Sequence, residues 1–258
     1  MKIATFNANS VRIRIDQIVG WLSREKPDVL CLQETKVQDS EFPAEAFRSA
    51  GYHVVFRGQK ATAGVAVACL AEPRDVAFGI DDGREPDAAR LIRLSVSGVT
   101  VINTYVPQGR SIDSEHFAYK LEWLARFRNL LERHYSPERP LLWCGDLNVA
   151  PEPIDIHDPK RNAEHVDFHP RARAALEQVR AWGFVDVFRA LHPGEPGHYT
   201  YWDYRIKGTV ERNIGWRVDH IWATRPLAGR TTQAWIDVAA RNAERPSDHT
   251  FLVAEFAT

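Results

Sequence analysis

The sequence has few cysteines, no long apolar run and almost no net charge. Its three cysteines, Cys31, Cys69 and Cys144, are odd in number and lie inside apolar, strand-like runs, which predicts buried thiols in a reducing cytoplasm rather than disulfides. Apolar runs reach only a handful of residues, which excludes a membrane-spanning helix, and the opening MKIATFNANS is polar by its fifth residue, unlike a signal peptide. A net charge of −1 gives no global argument for a nucleic-acid partner.

What is present is an alternation of strand-like and helix-like segments over 258 residues without a break in composition, so a single domain spanning 1–258 is expected. Apolar residues at helical spacing predict helices over 11–25, 42–50, 114–134 and 171–182. Short apolar runs between them predict strands at 2–7, 28–34, 52–56, 64–70, 89–96, 99–106, 141–145, 216–223, 231–238 and 250–256. About twenty irregular residues follow 141–145, and a loop of that length is usually functional or mobile.

Polar side chains recur where these strands end. Each has an ordinary explanation by itself, because Asn and Asp at strand ends are usually turn formers. Jointly they indicate a common rim of packed sheets, where loops commonly carry chemistry. The residues concerned are Asn7, Asn9, Glu34, Tyr105, Asp146, Asn148, Asp219, Asp248 and His249.

Four of these residues are carboxylates, which repel one another unless a cation neutralises them. A hard divalent ion is the natural occupant, and oxygen ligands without cysteine favour Mg²⁺ or Mn²⁺ over zinc. Because Mg²⁺ commonly binds one or two carboxylates together with a substrate phosphate, chemistry on a phosphoryl ester is predicted.

Seven segments, in chain order, resemble the exonuclease III group of apurinic/apyrimidinic endonucleases, within the endonuclease/exonuclease/phosphatase superfamily. They are FNANSVR, LQETK, NTYVPQG, GDLNVAP, WDYRIKG, NIGWRVDHI and PSDHT. LQET and SDH alone indicate only the superfamily, whereas PQG, WDYR and GWRVD are narrower and indicate its DNA-repair branch. The resemblance implies a four-layered α-β-β-α sandwich of the deoxyribonuclease-I-like type, with its site at one rim.

The resemblance also implies roles for the polar residues. Glu34 would be the main metal ligand, with Asn7, Asn9 and Asp248 around it. His249 would touch the scissile phosphate and be oriented by Asp219, while Asp146 and Asn148 would activate or position the attacking water. Tyr105 would bond a phosphate oxygen.

Substrate recognition is implied for two further groups of residues. A small apolar pocket for an extruded, base-less sugar would consist of Tyr201, Trp216 and Val218, and extrusion of such a sugar costs less than flipping an intact nucleotide. DNA contacts are assigned to the basic residues Arg12, Lys36, Lys60, Arg205, Lys207 and Arg217.

These features together predict a Mg²⁺-dependent repair phosphodiesterase that cleaves 5′ of abasic sites in duplex DNA, with 3′-5′ exonuclease and 3′-phosphatase activity. Mn²⁺ is expected to support the activity, the partner is double-stranded DNA with abasic sites or 3′ ends, and the protein is expected to be a cytoplasmic monomer. The alternatives are a phosphatase acting on a small phosphoester and a catalytically silent DNA-binding module. The complete polar set argues against the silent module, and the aromatic, basic segment around 201–217 argues against a small substrate.

Overall fold

Two β-sheets packed face to face form the centre of the molecule in the computed structural model, which describes residues 1–85 and 87–257. Within those residues the strands are β1 (Lys2–Asn7), β2 (Val29–Gln33), β3 (His53–Gln59), β4 (Ala63–Cys69), β5 (Arg74–Phe78), β6 (Leu91–Val96), β7 (Val99–Tyr105), β8 (Leu141–Asp146), β9 (Phe184–Asp186), β10 (Asp219–Thr224), β11 (Thr231–Asp237) and β12 (Phe251–Phe256). The α-helices are α1 (Val11–Glu25), α2 (Ala44–Ser49), α3 (Glu115–His134), α4 (Pro170–Arg180), α5 (Val187–Leu191) and α6 (Arg225–Ala228).

Both sheets are mixed and have the same plan. The first has the strand order β11-β12-β1-β2-β4-β3, and the second β5-β6-β7-β8-β10-β9. Each contains one parallel pair, β1 with β2 and β7 with β8, surrounded by antiparallel neighbours. The strand β1 also pairs with β12, so the beginning of the chain is hydrogen-bonded to a strand from its far end.

Three hydrophobic cores separate four layers, which confirms the predicted α-β-β-α sandwich. The core between the sheets contains Ile3, Cys31, Leu142 and Leu252. A second core lies between the first sheet and the helices α1 and α2, and a third between the second sheet and the helices α3 and α4. All three cysteines are buried and free.

The alternation of side chains along a strand brings the polar residues together. On β1, Ile3 points into the core between the sheets, so Asn7, four positions later, points the same way at the strand end. On β8, Leu142 and Cys144 point into that core from the opposite sheet, and Asp146 follows them. Asn7 and Asp146 therefore face each other across the rim of the sandwich.

Most predicted elements are confirmed, and two strands were missed. Ser97 and Gly98 adopt φ values of 50° and 79° between β6 and β7, the two-residue turn that a hairpin favours. The missed β5 is an edge strand with a register irregularity and an exposed start, and β9 is three residues long, so neither has a clear apolar period. Within residues 1–85 and 87–257, no helix has the length and apolar character needed to cross a membrane.

Candidate active site

The ends of strands from both sheets meet at one rim, where Asn7 links two carboxylates. The Asn7 side-chain amide donates to Glu34 Oε1 at 2.9 Å and to Asp146 Oδ2 at 2.8 Å. Since Asn7 and Glu34 belong to the first sheet's side and Asp146 to the second, this one amide joins the two halves of the site.

Glu34, Asn9 and Asp248 form the part of the rim predicted to bind metal. Asn9 donates to Asp248 Oδ1 at 2.9 Å, and Lys36 Nζ lies 2.6 Å from Glu34 Oε2 and donates to Asn9 Oδ1 at 2.5 Å. Burial raises the pKa of the Glu34 carboxyl, but the Lys36 ammonium and the Asn7 amide outweigh it and hold that pKa below its ordinary value. Glu34 is therefore anionic at neutral pH.

Several site residues have left-handed backbone conformations that residues other than glycine rarely adopt. The φ angles are 43° at Asn9, 49° at Glu34 and 49° at Asn148. Such conformations cost about 1–3 kcal/mol each and persist only where surrounding contacts fix them. The backbone N–H of Asn9 donates to Asn7 Oδ1 at 2.9 Å, and this hydrogen bond helps to fix the left-handed conformation of Asn9.

His249 and Asp219 form a buried ion pair. His249 Nδ1 lies 2.7 Å from Asp219 Oδ2, and His249 Nε2 lies 4.0 Å from Asp146 Oδ2. Burial lowers the pKa of His249, but the two carboxylates outweigh it and raise the pKa to about 10. At neutral pH His249 is therefore protonated, and its Nε2–H is available to donate to an anionic group.

Asp146 lies at the end of β8, but Asn148 does not continue that strand. The Asn148 backbone N–H donates to Asp146 Oδ1 at 2.9 Å, and its side chain donates to the carbonyl of Val106 at 2.9 Å, so the two residues form a tight turn. Burial raises the pKa of the Asp146 carboxyl well above its ordinary value, while the charge on His249 opposes this. Gly145 precedes the turn with φ 136°, and a Cβ there would collide with the carbonyl oxygen of Thr104 on β7.

Tyr105 is the residue of β7 in register with Asp146. Burial and the nearby negative charges of Glu34 and Asp146 raise the pKa of its hydroxyl well above the ordinary value, so the hydroxyl keeps its proton. Arg90 lies over the Tyr105 ring at 4.9 Å and donates to the Tyr105 carbonyl at 3.3 Å. Tyr105 is therefore held as a hydrogen-bond donor toward the rim.

The rim as a whole fits a hard divalent cation. Glu34, Asp146, Asp219 and Asp248 supply four carboxylates against two cationic groups, Lys36 and His249. Asp219 Oδ1 is also buried without a hydrogen-bond partner in the described part of the chain, which leaves one carboxylate oxygen uncompensated. An excess of carboxylate oxygens is the donor set that Mg²⁺ prefers.

A groove of about 820 Å³ opens beside the rim. The three predicted pocket residues, Tyr201, Trp216 and Val218, all line it together with Asn148 and His249. The remaining lining residues are Gln108, Arg110, His157, Arg161, Asn162, His165, Asp167, Asp203, Arg205, Ile206, Thr209, Arg212 and Ile214.

Residues of the irregular segment 151–169 shape this groove by contact with Trp216. The His165 ring lies 4.6 Å from the Trp216 ring, and the His157 ring lies 6.4 Å from it. Tyr201 connects Trp216 to the catalytic rim, because it forms backbone bridges with Trp216 and His249 and its ring lies 4.9 Å from the His249 ring. The long loop is thus a wall of the groove.

The prediction that Arg217 contacts DNA was wrong. Its side chain is completely buried, with Nε 2.8 Å from Asp155 Oδ1 and Nη1 2.8 Å from Asp186 Oδ2. These partners are far away in the sequence, so a basic cluster near 217 could not reveal the pairing. Arg217 instead anchors the segment between Trp216 and Val218 to the protein interior.

The other basic residues predicted to contact DNA differ in whether a carboxylate is paired with them. Lys36 binds Glu34 and Asn9 within the metal-binding part of the rim. Arg205 is exposed but lies 2.6 Å from Asp203 Oδ2, and Arg12 lies 3.4 Å from Glu41. Lys60 and Lys207 are exposed. For these five residues, contact with DNA stays a prediction.

Two site residues were not anticipated from the sequence. Lys120 is completely buried. It donates to the carbonyl of Asn148 at 2.6 Å and to Asp167 Oδ1 at 2.9 Å, so it stabilises the turn after β8 from inside the protein. Its position on the buried stripe of α3, three residues after Phe117, was a readable signal. Tyr204 accepts a hydrogen bond from the Asn9 side chain at 3.0 Å, and its place in the WDYRIKG segment was the available signal.

Comparison with known proteins agrees with this geometry. Residues 4–249 match the Endonuclease/Exonuclease/phosphatase family. Over 267 aligned residues the chain is 35% identical to exodeoxyribonuclease III of Haemophilus influenzae, covering 99% of this chain and all of that protein.

Solved structures with the same fold include an AP endonuclease from Archaeoglobus fulgidus, at 52% identity and a TM-score of 0.98, with both chains fully covered. A 3′ phosphatase from Neisseria, solved with a product DNA hairpin, is 35% identical over the full length of both chains with a TM-score of 0.95. The chain therefore belongs to the endonuclease/exonuclease/phosphatase family, within the group of the exonuclease III and AP endonuclease enzymes.

Proposed function

We propose that this protein is a Mg²⁺-dependent DNA-repair phosphodiesterase that cleaves the strand 5′ of abasic sites in duplex DNA. It also removes nucleotides and phosphates from 3′ ends. The observation that carries the proposal is the position of His249 and Asp146, 4.0 Å apart at the rim beside a groove with aromatic and basic walls. The names of the full-length relatives, an exodeoxyribonuclease III and an AP endonuclease, support DNA as the substrate.

Each residue of the rim would have a separate role in hydrolysis of a phosphodiester. A water molecule in line with the leaving oxygen attacks phosphorus and transfers a proton to Asp146, whose raised pKa suits a general base. The bond between phosphorus and the 3′ oxygen on the 5′ side of the abasic site breaks, and that oxygen takes a proton from solvent to become a 3′-hydroxyl. The protonated His249 and the Tyr105 hydroxyl donate to the non-bridging oxygens, where negative charge accumulates. Asp219 keeps the His249 imidazole oriented and charged.

Glu34, Asp248 and the Asn7 and Asn9 side chains are the groups proposed to hold the cation. A bound Mg²⁺ would supply charge neutralisation at the phosphate and at the leaving oxygen, and Mn²⁺ is expected to substitute for it. Lys36, which now contacts Glu34 and Asn9, would have to share these two groups with the ion.

Selection of damaged DNA is proposed to depend on the pocket of Tyr201, Trp216 and Val218. Val218 is 3% exposed, the Trp216 ring lies 4.6 Å from the His165 ring, and the Trp216 backbone is bridged to Tyr201, so the pocket is held by several contacts. A sugar without a base is extruded from the helix at lower cost than a paired nucleotide. A pocket with room for the sugar alone would therefore favour abasic sites by excluding intact bases.

We also propose that residues 1–258 form a single domain and that the protein works as a monomer in the cytoplasm. The match to the family over residues 4–249 supports one domain. Sedimentation of the protein alone and with duplex DNA would measure the number of copies in each state.

The direct test uses duplex oligonucleotides with an abasic analogue, a recessed 3′ end or a 3′-phosphate, each with Mg²⁺ and with EDTA. Cleavage 5′ of the abasic analogue is expected in Mg²⁺ only. The matched control is Asp146→Asn, which should bind DNA normally but turn over at least about 10²-fold more slowly, the loss typical of one catalytic group. Hydrolysis of small phosphoesters with no cleavage of any duplex would contradict the proposal, and equal losses of binding and turnover in Asp146→Asn would make Asp146 structural.

A further inference from the structure

A second group of ligand-type side chains lies outside the catalytic rim, in the loop that follows α5. This segment, HPGEPGH at 192–198, contains His192, Glu195 and His198 at a spacing of three residues. One ligand atom from each of the three lies within 4.8 Å of the other two.

The distances in this group centre on one carboxylate oxygen. Glu195 Oε2 lies 3.0 Å from His192 Nδ1 and 3.2 Å from His198 Nε2. Ligands about 2.0–2.1 Å from a tetrahedral ion are separated from one another by about 3.3 Å. Small shifts of these side chains would therefore convert the hydrogen-bonded group into a coordinated one.

His192 already makes, through Nε2, the outer hydrogen bond that metal-binding histidines usually make. Its Nε2 lies 2.9 Å from the carbonyl oxygen of Ala234 on β11, and a carbonyl can only accept, so Nε2 carries a hydrogen. Glu195 Oε2 lies 3.0 Å from Nδ1 and, as a carboxylate oxygen, also only accepts, so Nδ1 carries a hydrogen as well. An ion bound at Nδ1 would displace that proton, while the Nε2 hydrogen bond to Ala234 would remain. A second hydrogen bond of this kind is typical of histidines that bind metal in proteins.

Both imidazole rings are also fixed by packing. The buried ring of Phe188 stacks on His192 at 4.5 Å and meets the edge of His198 at 5.4 Å. The loop backbone is held by Arg189, whose Nη1 donates to the carbonyls of His192 at 2.9 Å and Glu195 at 3.0 Å. The ligands are therefore positioned before any ion arrives, which reduces the ordering cost of binding.

We propose that His192, Glu195 and His198 bind a transition-metal ion of the zinc class, with solvent as the fourth ligand. Two imidazole nitrogens and one carboxylate oxygen are a donor set for Zn²⁺ rather than Mg²⁺, which prefers oxygen alone. The site is distinct from the proposed Mg²⁺ site at the rim, and it does not depend on the proposed reaction.

The position of the loop indicates a structural role for this ion. The segment begins at the end of α5, is tied to β11 through Ala234, and leads directly to Thr200. Thr200 Oγ1 accepts the backbone N–H groups of Val218 at 3.2 Å and Asp219 at 3.1 Å. An ion at 192–198 would thus stabilise the chain segment that supports the groove.

The test is a titration with Zn²⁺ in excess Mg²⁺, which occupies the oxygen-rich rim, with a chromophoric chelator as competitor. The variants are Glu195→Gln and His198→Asn, both at partly exposed positions where loss of folding is not expected. His116→Asn, an exposed position on α3, is the matched control. The wild type and the control should bind one ion that the two variants bind at least about tenfold more weakly, the smallest loss expected when a metal site is damaged.

Substitution of Co²⁺ for Zn²⁺ gives a second readout, since the visible absorption of Co²⁺ reports its ligand geometry. The intense band of a four-coordinate ion should appear in the wild type and His116→Asn and be absent from His198→Asn. Equal Zn²⁺ affinity and stoichiometry in all four proteins would overturn the proposal, as would an identical Co²⁺ spectrum in wild type and His198→Asn.

Discussion

At the scale of single residues, the charge of His249 depends on two carboxylates within 4.0 Å, Asp219 and Asp146. Its pKa is about 10 in the folded protein and about 6.5 in an unfolded chain. Because the folded value is the higher one, protonation of His249 stabilises the fold. This stabilisation is complete below about pH 6.5 and is lost as the pH rises through about 10.

We expect Asp219→Asn to lower the pKa of His249 toward its ordinary value, because the variant removes the nearer negative charge. The measurement is an NMR titration of the His249 ring in Mg²⁺-free buffer for both proteins. Stability should also fall less steeply between pH 7 and 10 in the variant than in the wild type. A midpoint unchanged by the substitution would show that Asp219 does not set the charge of His249.

Glu34→Ala should lose activity chiefly through weaker binding of the cation, since Glu34 is anionic and is proposed as a main oxygen ligand at the rim. Increasing Mg²⁺ should recover part of the rate. The measurement is the rate of abasic-site cleavage over a Mg²⁺ series, with the exposed Glu45→Ala on α2 as control. Wild-type activity of Glu34→Ala at low Mg²⁺ would remove Glu34 from the metal site.

At the scale of elements, most of the groove lining comes from two loop segments, 151–169 and 201–217, rather than from the sheets. Ile156 forms a backbone bridge with Trp216, and the Arg217 backbone N–H donates to the Asp155 carbonyl at 2.8 Å. Since Arg217 is also paired with the Asp155 and Asp186 side chains, the two loops are held together from inside the protein.

Trp216→Ala should therefore reduce cleavage at abasic sites without changing the salt dependence of DNA binding. Trp216 makes no phosphate contact in the proposal, and the slope of log K against log salt changes by about 0.9 for each phosphate neutralised. The measurement is affinity for abasic and intact duplexes over a salt series. Equal loss of affinity for both duplexes would mean that Trp216 is packing and that the pocket lies elsewhere.

The elements themselves were largely readable from the sequence, because burial imposes a period on them. α1 and α3 have apolar residues at helical spacing, and the central strands are short apolar runs. The rim residues could be named because each lies at or beside one end of an apolar strand. The pairing of Arg217 with Asp155 and Asp186 could not be read, since it joins residues 62 and 31 positions apart with no local pattern.

At the scale of the whole molecule, a buried polar link joins the two sheets across the central core. Gln33 on β2 donates to Asn103 Oδ1 on β7 at 2.7 Å and to Thr5 Oγ1 at 2.9 Å. Asn103 in turn donates to the carbonyls of Leu32 at 3.0 Å and Ala66 at 2.9 Å. These bonds fix how one sheet sits on the other near the rim.

Asn103→Ala should lower the free energy of unfolding by about 1–3 kcal/mol for each buried group left without a partner. Denaturation by urea measures the loss, with Thr100→Ala, a half-buried position on the same strand, as control. A variant as stable as the control would mean that the cross-sheet bonds are replaced by other partners.

The pairing of β1 with β12 has a consequence for the time at which the enzyme becomes active during synthesis. The hydrogen bond between Asn9 and Asp248 joins residues 239 positions apart, and β1 lies between β2 and β12 in its sheet. A ribosome releases Asn9, Glu34 and Asp146 long before Asp248 and His249. A nascent chain therefore carries an incomplete and inactive site. Nuclease activity begins only after Asp248, His249 and the strand β12 that pairs with β1 have been synthesised.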